Sequence, residues 1–182
     1  MKSYLVKVFL ISLCLISWQV FGQSDSSSAP TAVANIGKYK DWALRCVEDE
    51  VGKQGRCRLF QRLILEENKR VVLQAMIVLP KNVTDPANAV FVLPLGLHLP
   101  SGIKLRVDSG EVSDLQVERC FPQGCTARIL LDRKMLTSFK EGNIATVIVR
   151  ERPTQDVNLR VSLAGFSAGY KALLKAESER RD

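Results

Sequence analysis

The feature that most constrains this chain is a period-two alternation of apolar and polar residues, repeated in short runs between Tyr39 and Leu163. Successive side chains of a strand point to opposite faces, so each run specifies a strand with one face turned to a core. Cys57, Leu59, Gln61, Leu63 and Leu65 alternate with Arg56, Arg58, Phe60, Arg62 and Ile64. Val71 to Leu79 is a longer apolar strand ended by Pro80, Ala89 to Leu93 is apolar throughout, and Leu95 to Leu99 resumes after Pro94. Ile103, Leu105 and Val107 alternate with Lys104, Arg106 and Asp108, and Leu115 to Arg119 leads into Cys120. Cys125 to Leu131 follows a turn at Pro122-Gln123-Gly124; Ile144 to Arg150 and Val157 to Leu163 flank a turn at Arg152-Pro153. Many short strands punctuated by Gly, Pro and Asn predict an antiparallel β-sandwich or barrel-like domain. Two segments have helical spacing instead. Asp132 to Lys140 carries Met135, Leu136 and Phe139, with Asp132 as N-cap and Gly142 just past the end. Tyr170 to Glu179 is rich in helix formers (Ala172, Leu173, Leu174, Ala176) and predicts a C-terminal helix.

The cysteines bear on compartment. Residues 1–22 read as a secretory signal: Lys2 and Lys7 precede an almost unbroken apolar run from Val8 to Phe21, and Val20-Phe21-Gly22 suits cleavage after Gly22. The run is short for a membrane span of roughly 20 residues and no stop-transfer charges follow it, so no transmembrane span is expected after signal removal. Cys14 leaves with the signal, and four cysteines remain, an even number suited to an oxidising compartment. Four cysteines allow three connectivities; short spacings favour Cys46 with Cys57 and Cys120 with Cys125. The spacing at 120–125 resembles half a zinc site, but Cys46 and Cys57 do not supply the other half, and the sole histidine, His98, is near no cysteine. A Cys-x-x-Cys redox motif is absent, and neither metal nor cofactor is expected. The expected address is the periplasm or outer envelope, extending to the cell surface or the medium.

About 160 residues remain after cleavage, enough for a single cored domain. Residues 23–36 are polar and small, and predict a flexible leader; residues 37–176 form the domain, and 177–182 a charged, frayed tail. The formal net charge of +7 becomes +5 when Lys2 and Lys7 are removed. A basic exported protein suits anionic partners such as lipid headgroups or acidic glycans. Nucleic acid is not expected: there is no run of five basic residues, no basic helix face and no aromatic–basic stacking pattern.

No catalytic constellation stands out. His98 lies between Leu97 and Leu99 beside Pro100 and reads as structural. Glu48, Asp49 and Glu50 read as a hairpin tip without the alternating ligand spacing of a calcium loop, and Asp108-Ser109-Gly110 reads as a turn with Glu111 beside it. Trp42 and Phe166 read as buried anchors. The strand faces are more specific. Arg56, Arg58 and Arg62 oppose the apolar face of one strand, and Lys104, Arg106, Arg128 and Arg160 repeat the opposition elsewhere. If those strands are neighbours, they form one basic face for an anionic lipid or glycan, an envelope protein or a host surface. The alternative is that arginine stems simply cover sheet surface.

Trp42, Cys46, Cys57 and Gln61, then Pro94-Leu95-Gly96, Cys120-x3-Gly124-Cys125 and Ser162-Leu163-x-Gly165-Phe166, resemble in this order the invasion-associated locus B family of exported bacterial proteins. The resemblance runs from about Gly37 to about Leu174. It implies a β-sandwich-like domain and a virulence-linked envelope or secreted protein in host-cell (erythrocyte) invasion, and it carries over no catalytic residue. The expectation is a non-enzymatic binding or interaction module; the alternative is a periplasmic envelope-maintenance or stress factor that affects invasion indirectly.

Overall fold

The computed structural model describes residues 33–48, 54–82 and 85–180. Ten strands are present: β1 (Val33–Tyr39), β2 (Trp42–Glu48), β3 (Gln54–Ile64), β4 (Val71–Val78), β5 (Ala87–Leu93), β6 (Ile103–Val107), β7 (Val112–Phe121), β8 (Gly124–Leu131), β9 (Ile144–Arg152) and β10 (Gln155–Ser162). Helix α1 (Arg133–Glu141) lies between β8 and β9, and α2 (Phe166–Glu179) follows β10. The strands form one antiparallel sheet in the order β1-β2-β3-β4-β5-β8-β7-β6-β9-β10. Three hairpin-linked strands, β6 to β8, return so that β8 lies beside β5, a Greek key. The mainly β, two-helix fold expected from the alternation is the one present.

The alternation works as the physics requires. Leu44, Leu59, Leu73, Ile77, Phe91, Leu105 and Val147 face inward and are almost fully buried, and α2 adds Phe166 and Leu173 to the same core. At the two extremes of the sheet order the curled sheet is drawn together by side chains. The Gln61 amide donates to the Ser162 carbonyl at 3.1 Å and accepts the Ser162 N–H at 3.1 Å, and the Trp42 indole N–H donates to the same carbonyl at 2.9 Å. That explains a glutamine at an inward position of β3: it satisfies backbone groups of β10 that no strand pairs. Trp42 and Phe166 are both buried and meet edge to face, with ring centres 5.6 Å apart.

Both short-range cysteine pairs are disulfides. Cys46 lies directly opposite Cys57 on β2 and β3, and Cys120 opposite Cys125 on β7 and β8. Asp132 caps α1, its carboxylate accepting the Met135 N–H at 2.8 Å. Gly165 enters α2 with φ +88, and a Cβ there would run into the Tyr39 carbonyl, so only glycine fits. Gly124, at φ +138, likewise lies against the Leu93 carbonyl.

Four expectations change. The polar leader was placed at 23–36, yet β1 begins at Val33; its register shifts between Asn35 and Gly37 and most of it is exposed, so it lacks the alternation that marks the other strands. Leu95 to Leu99 is not a strand, because Pro94 and Pro100 lack the N–H groups a ladder needs; the segment crosses to β6 and ends in a 3-10 turn at Leu99–Ser101. Helix α2 starts at Phe166, one turn before Tyr170. The tail expected from 177 is helical to Glu179, and Glu177 is buried. The signal at 1–22, residues 23–32 of the leader, Asp49, Glu50 and residues 181–182 lie outside the described residues.

Candidate interaction face

The outward positions of β3 are Arg56, Arg58, Phe60 and Arg62, because its inward set is Cys57, Leu59, Gln61 and Leu63. On β2, Trp42, Leu44 and Cys46 face the core, which turns Ala43 and Arg45 outward. Register then places Arg45 directly opposite Arg58 and Ala43 opposite Phe60. Phe60 is buried although it faces out, because arginines cover it: the Arg45 guanidinium lies 4.1 Å, and that of Arg62 5.1 Å, from the ring centre. Cation–π contact and planar stacking fix both groups over the ring.

Three like charges therefore converge on adjacent strands, an arrangement that costs energy in a sheet. Burial, then the Arg62 and Arg58 charges, hold the Arg45 guanidinium below its usual pKa. The Arg45 Nε–H donates to Asn35 Oδ1 at 2.8 Å. The Nε of Arg58 is buried with no hydrogen-bond acceptor among the described residues.

The remaining basic candidates are placed differently. Arg56 donates to the Leu79 carbonyl at 2.5 Å and is part of the frame. Arg128, on β8, forms an ion pair with Glu118 at 3.0 Å. Lys104 and Arg106 lie on β6, with Lys104 opposite Asp114; Arg106 and, from β10, Arg160 both lie opposite Thr146 of β9. The Nε of Arg106 is also buried without an acceptor. Strands β3, β8, β6 and β10 are not direct neighbours in the sheet order, so the seven residues do not form one contiguous patch on adjacent strands. They divide into a β3 group and a β6–β10 group, with the paired Arg128 between them. Arg45 was absent from the sequence-level set, although the alternation of Trp42, Leu44 and Cys46 points it outward as clearly as that of β3 does its neighbours.

The other candidates serve the frame. The His98 ring pairs through Nδ1 with Ser101 Oγ at 2.7 Å, and its backbone N–H donates to the Arg150 carbonyl at 2.7 Å. Asp108 accepts the Asn143 and Ile144 N–H groups, each at 2.9 Å, and these bonds hold its carboxyl below the usual range. Glu111 pairs with Lys134 at 2.7 Å. Among the described residues no three His, Cys, Asp or Glu gather as a metal would need. One carboxylate escaped the sequence reading altogether: Glu177, buried in α2, accepts the Cys57 N–H at 2.6 Å and the Arg180 guanidinium at 3.0 Å.

Comparison with known proteins adds to this geometry. The model of a family described as invasion associated locus B protein matches residues 42–174. An invasion protein B homolog of Brucella abortus (strain 2308) is 30% identical over 146 residues, covering 79% of this chain and 82% of the relative. Invasion protein B of Bartonella bacilliformis is 29% identical, covering 93% of this chain and 96% of its own. Among solved structures, invasion associated protein B from Bartonella henselae superposes with a TM-score of 0.68 at 25% identity, over 79% of this chain and 97% of that one.

Proposed function

The chain belongs to the invasion-associated locus B family, and from that premise we propose that it is an exported cell-envelope protein serving host-cell invasion as a non-enzymatic binding module. The names of its relatives in Brucella and Bartonella support the invasion role, and the family resemblance suggests erythrocytes as the host cell. The signal-like residues 1–22 and the two disulfides support export to an oxidising compartment.

One observation carries the binding role. Arg45, Arg58 and Arg62 stand on the outer face of β2 and β3 with no ion pair to a carboxylate among the described residues, whereas Arg128, Arg150 and Arg180 each have one. Charges assembled at a cost and left unneutralised suit recognition of an anionic surface, which steers approach and weakens with salt. In this reading the module meets its partner through sheet surface.

Fractionation of the native cell, with protease treatment of intact cells, tests the assignment. Cleavage on intact cells is the expected result and fits direct contact with a host surface. Protection in intact cells, with cleavage only after the outer membrane is opened, would overturn direct contact and favour the envelope-maintenance role.

A further inference from the structure

The β2–β3 surface contains more than excess charge. Beside Arg45 lies a hollow of about 350 Å³, lined by Asn35, Ile36, Lys38, Lys40 and Ala43, with Asp41 as the one acid among the described residues that line it. Ala43 is the register neighbour of both Lys38 on β1 and Phe60 on β3, so the hollow and the arginine-covered ring adjoin along one row of the sheet. Two guanidinium groups are held over that ring, and a third arginine, Arg58, presents a buried N–H with no acceptor among the described residues. A buried donor without an acceptor calls for a partner. Planar guanidinium forks match oxyanions in paired hydrogen bonds, which a point-charge ammonium does not reproduce.

We propose that Arg45 and Arg62, held over Phe60, and Arg58, opposite Arg45, form with the Lys38–Lys40 hollow beside them a binding site for a phosphate-type oxyanion. The site rests on the binding-module reading and narrows it from a basic surface to one place and one ligand chemistry. Charge, donor geometry and preorganisation agree. The arginines repel each other when empty, and a dianion between them turns that repulsion into attraction. Phe60 limits their rotamer freedom, which lowers the entropy lost on binding. The β6–β10 group is a poorer candidate: Asp114 faces Lys104, and no ring gathers Arg106 and Arg160. The oxyanion is either free phosphate or the phosphomonoester of a lipid headgroup, and the two differ in whether a membrane brings it.

The test uses the mature chain and two probes, inorganic phosphate and phosphatidylcholine vesicles with and without phosphatidic acid, at matched ionic strength. Phosphate should shift the side-chain Nε–H resonance of Arg58. The charge-conserving triple variant Arg45→Lys, Arg58→Lys, Arg62→Lys should bind about tenfold more weakly, while Lys104→Gln with Arg106→Gln should leave phosphate affinity unchanged. Phosphate binding without vesicle binding identifies the free ion; selective binding to phosphatidic acid vesicles, reversed by phosphate, identifies the headgroup. A lysine variant that binds as tightly as the parent overturns the site and leaves the basic-surface reading intact. Absence of phosphate binding by the parent overturns the site as well, and absence of vesicle binding besides removes the anionic-surface reading with it. If the triple variant does not fold, Arg58→Lys alone carries the same comparison.

Discussion

Two hairpins of this molecule have the same covalent clasp in opposite settings. In β2–β3 both cysteines are buried, and α2 lies across the strand that carries Cys57. Gly169 of that helix packs so closely on Leu59 that an added Cβ would sit 2.6 Å from it. Outside, the same hairpin displays Arg45, Arg58 and Arg62, for which no carboxylate partner stands among the described residues. In β7–β8 only Cys125 is buried; Cys120 is exposed and Phe121, next to it, is 46% exposed. Here Arg128 has a counter-ion, Glu118. The difference teaches that a disulfide's structural meaning lies in what it is attached to. One clasp joins the core, the helix and a strained charge cluster, while the other ties a turn that little else depends on.

The largest effect expected is on removal of the first clasp. Cys46→Ala with Cys57→Ala should cost about 3–5 kcal/mol by urea denaturation, and Cys120→Ala with Cys125→Ala about 2 kcal/mol. Equal losses would break the comparison. Next comes Glu177, whose burial near the C-terminal end of α2 opposes the helix dipole and is offset by donors that include the Cys57 N–H and the Arg180 guanidinium. Glu177→Ala should cost about 2–3 kcal/mol by leaving the Cys57 N–H without its acceptor. Burial pushes its carboxyl up, but bonds from Arg180 and the Cys57 N–H outweigh that and leave it below the ordinary range. Its stabilisation is therefore complete above the unfolded-state value of about 4.3 and lost as pH falls through the lower folded-state value. Denaturation midpoints measured against pH should show this drop in the parent and a flatter profile in Glu177→Gln.

The smallest effect should differ in sign between the hairpins. Arg58→Gln relieves repulsion and should stabilise by about 0.5 kcal/mol at low salt, whereas Arg128→Gln loses an exposed pair and should destabilise by about 0.5 kcal/mol. Thermal melting at low and high salt reads both, and high salt should shrink each change. Two changes of the same sign would mean that the β2–β3 arginines are not held against their own repulsion.

The sequence made legible those parts whose cause is local. The alternation in β3, the Asp132 cap and the short cysteine spacings each depend on a few adjacent residues, and all appear as expected. Strand β1 was missed because a bulge breaks its period and neither face is well buried. The segment Leu95 to Leu99 misled because apolar character resembles a strand even where two prolines deny it a ladder. At the site, Arg58 and Arg62 were legible from their own strand. Their clustering with Arg45 depends on cross-strand register, and the separation of the β6–β10 group depends on strand order, neither of which alternation specifies. Glu177 was illegible for a related reason: its acceptor role concerns a residue 120 positions away.

That last contact has a consequence for the order of assembly. Strands β2 and β3 come early in a chain made from its amino end, yet the N–H of Cys57, the open face of Leu59 and the indole of Trp42 all wait for β10 and α2. Contacts that span most of the chain exact loop-closure entropy first and stabilise only afterwards, so folding should be slow and end with the C-terminal helix. Until that helix arrives the growing chain exposes the strands it will later bury, which makes the final fourteen-residue helix the step that ends its exposure to aggregation and proteolysis.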